Sequence, residues 1–267
     1  MQNCSNSSQS ILRETRRNLQ IALAIFLFSA IMNLLYFSLE PYFGRDAETY
    51  LLAAQHVAET GVLNFNSNEY YSPLFVVSIG FLSRWSGLGV ESVGLVLNLL
   101  ASAAIPAIAF LIGIQIFRNR WTAVLAALLL LLHWRIREIT VTVQRDAPGL
   151  CFLLLSIFFC ISGFLSKKKP WLFGICGFFL GISIGFRYEE LEFLIYFCLF
   201  LAGSCFIREG TSPEVDSWKK RLGWALHALL WLGVGTAVGI LIQLPISQLT
   251  NYHWEDFVLH WWQTYIH

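Results

Sequence analysis

Long apolar stretches, separated by short polar segments that carry most of the charge, dominate the chain. About 20 apolar residues in a helix cross the hydrocarbon core of a bilayer. The stretches predict seven transmembrane helices, near residues 19–39, 90–117, 121–136, 148–166, 170–187, 191–207 and 222–246. The third is short, since Trp121 to Trp134 rises only about 21 Å at ~1.5 Å per residue. The pattern therefore predicts an all-α polytopic membrane protein, a bundle of about seven transmembrane helices.

The connection after the first span is the longest one, and its pattern predicts two further helices. Apolar residues recur in it at helical spacing: Ala47, Tyr50, Leu51, Ala54, Val57 and Ala58. This periodicity is typical of an amphipathic helix lying on the membrane surface, with Gly61 placed to end it. Residues Ser72 to Ser83 are apolar but too few to cross a bilayer. They predict a re-entrant or interfacial helix in the same loop.

Basic residues indicate the orientation of the chain. If the N-terminus is inside and the spans alternate, the inner segments hold 12 of the 18 basic residues, as the positive-inside rule requires. Arg13, Arg16 and Arg17 precede an apolar run too long for a cleaved signal peptide, which indicates a signal anchor. We expect a cytoplasmic tail at 1–18, a membrane module at 19–246 and a short outer tail at 247–267. The predicted location is the cell (plasma or inner) membrane, with the active face outside.

Composition narrows the classes of function. Charged residues make up 13% of the chain, against about 25% in soluble domains, and the net charge of +1 gives no reason to expect a nucleic-acid partner. The six cysteines form no CxxC pair and predict neither a disulfide framework nor a zinc site. His253, His260 and His267 recur every seven residues, a spacing that favours an interfacial helix over a metal site.

Acidic residues gather on the predicted outer side, which holds 13 of the 17. The positive-inside rule does not predict this, because carboxylates contribute little to topology. Ordinary solvation is one explanation, and a carboxylate-lined site at the membrane surface is the other. Asp46 and Asp146 could each simply cap the N-terminus of a helix. The charges that follow Phe186 could form a wet interfacial turn, although charge near bilayer depth is usually functional.

Three local motifs occur in the order and topology of one family. They are Arg45-Asp46-Ala47-Glu48-Thr49-Tyr50 with Tyr71-Ser72-Pro73-Leu74, then Arg145-Asp146-Ala147, then Gly185-Phe186-Arg187-Tyr188-Glu189. Together, over about residues 17–246, they resemble the N-terminal membrane module of the C-type (GT-C) glycosyltransferases. That superfamily includes protein O-mannosyltransferases, aminoarabinose transferases and bacterial enzymes with an RgtA/B/C/D-like domain. The resemblance implies a GT-C-like helical bundle with interfacial helices in the first outer loop.

The resemblance also implies a reaction: transfer of a sugar from polyprenyl phosphate to a lipid, glycan or protein acceptor on the outer face. Asp46 would act as general base or bind a metal, and Glu48 and Asp146 would support it. A carboxylate can deprotonate the acceptor hydroxyl, and an arginine can stabilise the leaving phosphate. The implied substrate-binding residues are Arg45, Tyr50, Tyr71, Arg145, Arg187 and Glu189. Whether a divalent cation takes part stays open, with Asp46 and Glu48 as its candidate ligands.

Two departures from the family keep other functions open. The usual Asp-Glu pair is here Asp46-Ala47-Glu48, and the sequence stops soon after the predicted seventh span. A non-catalytic or truncated paralogue, or a partner subunit that binds lipid-linked sugar, is the second hypothesis. A transporter or flippase is the third, and the scarcity of charges in the middle of the spans speaks against it.

Overall fold

A computed structural model describes residues 2–39, 45–61, 73–133, 136, 138–139, 142–166, 169–204 and 218–243. Every regular element in these ranges is helical, which confirms the all-α class. The helices are α1 Gln2–Leu39, α2 Arg45–Thr60, α3 Pro73–Ser86, α4 Val90–Phe117, α5 Arg120–Leu132, α6 Asp146–Leu165, α7 Trp171–Phe186, α8 Leu191–Ser204 and α9 Trp218–Leu241. A 3₁₀ turn, Tyr188–Glu190, joins α7 to α8.

Four described helices are long and apolar enough to cross a membrane: Arg13–Ser38 within α1, all of α4, all of α6, and Lys220–Leu241 within α9. They coincide with four of the predicted spans, and the protein is membrane-embedded. The other three predicted spans coincide with α5, α7 and α8, which have 13, 16 and 14 residues. These are shorter than the ~20 residues that a bilayer requires, so their crossing stays a prediction.

Two boundaries differ from the prediction. The first helix already begins at Gln2, so most of the expected N-terminal tail continues the first span as helix. Helix α5 ends at Leu132, four residues before the expected end at 136, because His133 adopts an extended backbone. Helix α5 is thus shorter than its apolar run.

The tightest packing joins α7 to α9. A methyl group on Gly177 of α7 or on Gly235 of α9 would overlap backbone atoms of the facing helix. Small residues of this kind let transmembrane helices approach closely. We call this close contact between α7 and α9 the seam. At its far end, the buried side chain of Gln243 donates a hydrogen bond to the carbonyl oxygen of Gly181 at 2.9 Å. The seam holds the C-terminal end of α7 in place.

Helix α4 connects the two ends of the bundle. Near its C-terminal end, Phe110 packs with Ala22 of α1 and Ala123 of α5, and a salt bridge of 3.0 Å joins Arg120 to Glu14. Near its N-terminal end, Val93 packs with α2 and α3. These two groups of contacts therefore lie at opposite ends of the molecule.

Helices α2 and α3 cover the second of these ends. Ala47, Tyr50, Leu51, Ala54 and Val57 are buried, as their periodicity predicted. Their neighbours are α3, α4 and Phe186, so protein covers the apolar face that we expected to face the membrane surface. Gly80 of α3 permits this, since a Cβ there would lie 2.6 Å from that of Val57.

Candidate functional site

The N-terminus of α6 and the C-terminus of α7 meet at the end of the bundle that α2 and α3 cover. The two helices are consecutive neighbours along the chain, and a buried hydrogen bond of 2.9 Å from the Ser183 hydroxyl to the carbonyl oxygen of Gly149 ties them together. Phe186, the last residue of α7, lies near the rings of Phe75 in α3 and Phe152 in α6. The residues next to these contacts, Arg145 and Arg187, are thus held on a packed framework.

The segment that leads into α6 is fixed to α4. The fully buried amide of Asn98 donates hydrogen bonds to the carbonyl oxygens of Ile139, at 3.1 Å, and of Thr142. These two bonds satisfy the buried amide nitrogen of Asn98. The position of Arg145, three residues after Thr142, is set by these bonds.

The side chain of Arg187 crosses over α6 at a glycine. A Cβ on Gly149 would lie 3.0 Å from both Cγ and Cδ of Arg187, so any larger residue there would push against the arginine. The crossing brings the guanidinium to Asp146, with Nη1 at 3.1 Å from Oδ1. Gly149 therefore directs Arg187 towards the start of α6.

Two arginines and two carboxylates form a network at this point, which we call the arginine–carboxylate cluster: Arg145, Asp146, Arg187 and Glu189. Arg145 Nη2 lies 2.9 Å from Glu189 Oε1, and Arg187 Nε lies 3.9 Å from Glu189 Oε2. The Arg145 guanidinium also lies 5.1 Å from the ring centroid of Tyr188, within cation–π distance. The structure thus brings together four residues that the sequence had placed in two separate motifs.

Asp146 is not the N-cap of its helix. It is the first residue of α6, the N-cap is Arg145, and no side-chain capping bond is made there. A carboxylate in the first turn is still favourable for the helix dipole. Its contact with Arg187, rather than capping, accounts for the position of the carboxylate.

Tyr50 connects α2 to this cluster. It is buried, and its ring meets Phe75 edge-on at 5.4 Å. Burial lowers the pKa of Arg145, but the interactions with Tyr50, Glu189 and Tyr188 outweigh it, and the pKa of Arg145 lies above its ordinary value. Arg145 is therefore cationic at every physiological pH.

Asp46 is the second residue of α2, which places it inside the first turn rather than ahead of the helix. It precedes Tyr50 by four residues, so the two positions share one face of α2. The side chains of Arg45 and Asp46 lie outside the described residues, as do Tyr71 and the three histidines of the C-terminal segment.

Glu48 occupies a different face of α2. Its side chain is exposed, and its position is two residues from Asp46, about 200° around the helix axis. The pairing of Asp46 and Glu48 as ligands of one ion stays a prediction, because the side chain of Asp46 lies outside the described residues. Within the described ranges, no group of three histidine, cysteine, aspartate or glutamate residues is arranged to hold a metal.

Four of the eight buried side-chain polar atoms that have no hydrogen-bond partner in the described residues lie in the arginine–carboxylate cluster or beside it. They are Arg145 Nη1, Arg187 Nε, Glu189 Oε2 and Glu190 Oε2. Native proteins leave few such atoms, and each calls for an explanation. Two of them are guanidinium donors, which match phosphate oxygens, and the carboxylate oxygen of Glu189 matches a hydroxyl group. A ligand that carries both phosphate and hydroxyl groups would offer partners to these three atoms.

Glu190 is the residue of this region that sequence reasoning missed. It is 5% exposed, whereas Glu189 and Glu192 on either side are half-buried. Burial raises the pKa of Glu190; Arg187 lowers it, the neighbouring carboxylates raise it further, and the result is about 7. The sequence did single out this segment, because four charged residues lie in it between two apolar stretches. Which glutamate is buried depends on the 3₁₀ turn, and no sequence signal specifies that turn.

Comparison with known proteins identifies the class. Residues 86–212 match the model of the family described as dolichyl-phosphate-mannose-protein mannosyltransferase, over just under half of the chain. The matched region contains Arg145, Asp146, Arg187 and Glu189, and begins after Asp46 and Tyr50. No curated protein and no solved structure matches the chain. The match supports a membrane glycosyltransferase of the GT-C type, and confirms the predicted GT-C-like membrane module.

Proposed function

We propose that the protein transfers a sugar from a polyprenyl-phosphate donor to an acceptor on the outer face of the membrane. One observation carries the proposal: two half-buried arginines, each with a buried and unsatisfied donor atom, stand beside carboxylates with unsatisfied acceptors, at one end of a membrane-embedded bundle. A donor attached to a lipid keeps its phosphate at this depth. The matched family's description names mannose on dolichyl phosphate, so polyprenyl-phosphate mannose is the first donor to test.

The charged residues divide into two roles in this proposal. Arg145 and Arg187 bind the phosphate, Arg45 and Tyr50 of α2 are further donor-binding residues, and Glu189 accepts hydrogen bonds from sugar hydroxyls. Asp146 holds Arg187 through the contact of 3.1 Å. Tyr71 belongs to the proposed donor site as well, on the basis of the resemblance.

The proposed chemistry is a displacement at the anomeric carbon. The acceptor oxygen attacks this carbon, Asp46 takes the hydroxyl proton, and the carbon–oxygen bond to phosphate breaks with its electron pair going to the phosphate. The phosphate thereby gains one negative charge, which the two arginines stabilise. If a divalent cation takes part, Asp46 and Glu48 are its candidate ligands, and chelation would then abolish transfer.

Transfer can be measured with radiolabelled donor. We expect membranes that contain the protein to move label from polyprenyl-phosphate mannose into a lipid, glycan or protein fraction, and membranes without it to move none. An Arg187→Ala variant should lose transfer and bind the donor more weakly. Transfer from a nucleotide sugar with no lipid carrier would contradict the proposal. Donor binding without transfer to any fraction would instead support the non-catalytic hypothesis.

A further inference from the structure

Glu190 stands out among the buried ionisable residues because the reaction outlined above gives it no role. Only 5% of the residue is exposed, and its Oε2 atom is buried with no hydrogen-bond partner among the described residues. Such an atom is costly to keep as part of a carboxylate, since desolvation penalises the charged form. Its place is the 3₁₀ turn that also carries Tyr188 and Glu189.

The charges around Glu190 decide which form it takes. Arg187 at the end of α7 is the nearest positive influence, and Asp146 of α6, Glu189 and Glu192 are the negative ones. Arg145 is already paired with Glu189, and Arg187 with Asp146. Two guanidinium groups therefore balance the carboxylates of Asp146 and Glu189. Glu192 already adds a negative charge nearby, and an ionised Glu190 would add another.

We propose that Glu190 is a donor-binding residue that acts in its protonated form, donating a hydrogen bond from its carboxyl group to the donor phosphate. This inference rests on the proposed function, because it takes the phosphate to lie beside Arg187. A protonated Glu190 adds no further negative charge to the site and supplies a hydrogen-bond donor, whereas an ionised Glu190 would repel the phosphate. The pKa of about 7 makes this form available near neutral pH.

Polyprenyl-phosphate mannose is a suitable probe because a phosphodiester keeps a single charge between pH 6 and pH 8.5. Any change of affinity over this range then comes from the protein. If only the form with protonated Glu190 binds, a pKa near 7 predicts an affinity about 30-fold lower at pH 8.5 than at pH 6. Glu190→Gln keeps a neutral hydrogen-bond donor that cannot ionise, so its affinity should change less than about threefold.

The experiment measures binding of this donor to the purified full-length protein in detergent, without acceptor. The variants are Glu190→Gln, Glu190→Ala and, as a matched control two residues away, Glu192→Gln. We expect Glu192→Gln to keep the pH dependence of the wild type. Glu190→Ala should bind roughly 10- to 100-fold more weakly at pH 6. Competition with phosphatidylglycerol and with inorganic phosphate distinguishes a donor site from a site for bulk lipid or free phosphate.

A second readout needs no variant. Calorimetry in buffers of different ionisation enthalpy should show that donor binding at pH 8 takes up close to one proton. An unchanged pH dependence in Glu190→Gln, or no proton uptake by the wild type, would overturn the role of Glu190 while leaving donor binding, and the proposed function, in place. If the wild type binds phosphatidylglycerol or inorganic phosphate but no polyprenyl-phosphate mannose at any pH, the proposed function itself fails, and this inference with it.

Discussion

Different contacts hold the individual charged side chains of the arginine–carboxylate cluster. The stem of Arg187 rests on Gly149, its guanidinium contacts Asp146, and Arg145 lies between Tyr188 and Glu189. These contacts restrict rotamers that a free arginine would sample. At the scale of single residues, the proposed site is therefore preorganised for an anion.

Replacing Gly149 tests this preorganisation. Gly149→Ala places a methyl group 3.0 Å from the Arg187 stem and should displace the guanidinium by a few tenths of an ångström. We expect transfer to fall about 10- to 100-fold, because small misplacements of binding groups are costly in rate. The matched control is Gly203→Ala in α8, where the added methyl meets no atom within 4 Å. Equal activity of the two variants would show that the function of Arg187 does not depend on the absence of a side chain at Gly149.

Asp46→Asn separates a general base from a helix cap. Asparagine caps a helix about as well as aspartate, so a capping residue would tolerate the change. Loss of a general base should reduce transfer about 10²- to 10⁴-fold while donor binding is retained. Glu59→Gln, an exposed carboxylate on the same helix, serves as control. A variant with full transferase activity would remove Asp46 from the site.

The raised pKa of Glu190 predicts a pH-dependent stability. The folded state favours the protonated form, so this contribution is fully present below pH 4.5 and is lost as the pH rises through about 7. Glu190→Gln should therefore raise the Tm in detergent at pH 8 and leave it nearly unchanged at pH 4. The difference corresponds to at most about 3 kcal/mol. If Glu192→Gln raised the Tm at pH 8 by a similar amount, the stabilisation would come from the loss of a negative charge in general, not from Glu190.

At the scale of helices, the seam between α7 and α9 sets the position of Arg187, which directly follows α7. Gly177, Gly181 and Gly235 let the backbones touch, and Gln243 closes the seam. This part of the fold was not predicted. Hydrophobic periodicity marks which segments are helices, but glycines within an apolar run do not reveal which helix they face.

A pair of glycines on α9 tests the seam. Gly235→Ala should lower the free energy of unfolding by about 1–3 kcal/mol, because its methyl overlaps the backbone of α7. Gly233→Ala, two residues away with open space around it, should be neutral or slightly stabilising through helix propensity. Thermal unfolding in detergent measures both. Equal losses of stability would mean that the seam is not the tight contact described here.

The helix α2 shows what an amphipathic pattern can and cannot predict. Periodicity identified its buried residues correctly, since it depends only on 3.6 residues per turn. The same pattern does not specify whether lipid or protein covers the face. Here α3 and α4 do, and this contact brings Tyr50 to Arg145.

At the scale of the whole molecule, the arginine–carboxylate cluster and the Arg120–Glu14 salt bridge lie at opposite ends of α4. This separation agrees with the alternation of spans that the basic residues predict. The sequence could predict that Arg145, Asp146, Arg187 and Glu189 share one face, because each ends or begins an apolar run on the same side. Their pairing, and the burial of Glu190, depend on packing that only the folded chain defines.

Cysteine labelling of intact cells tests the predicted orientation. A cysteine at position 168 should not react with a membrane-impermeant thiol reagent, because Lys167, Lys168 and Lys169 are expected in the cytoplasm. A cysteine in place of Glu138, on the predicted outer side, should react. The unsubstituted protein gives the background from its own cysteines. Labelling at 168 with none at 138 would invert the topology and place the proposed site inside the cell.

The glycine contacts also bear on how this gene tolerates mutation. Every single-base missense change of a glycine codon introduces a residue with a Cβ atom. Gly177 and Gly235 have no room for one, and at Gly149 it would displace Arg187, although none of the three carries a reactive group. In a saturation mutagenesis screen, loss-of-function alleles should therefore be as dense at these three codons as at the codons for the arginines, and sparse at Gly203 and Gly233.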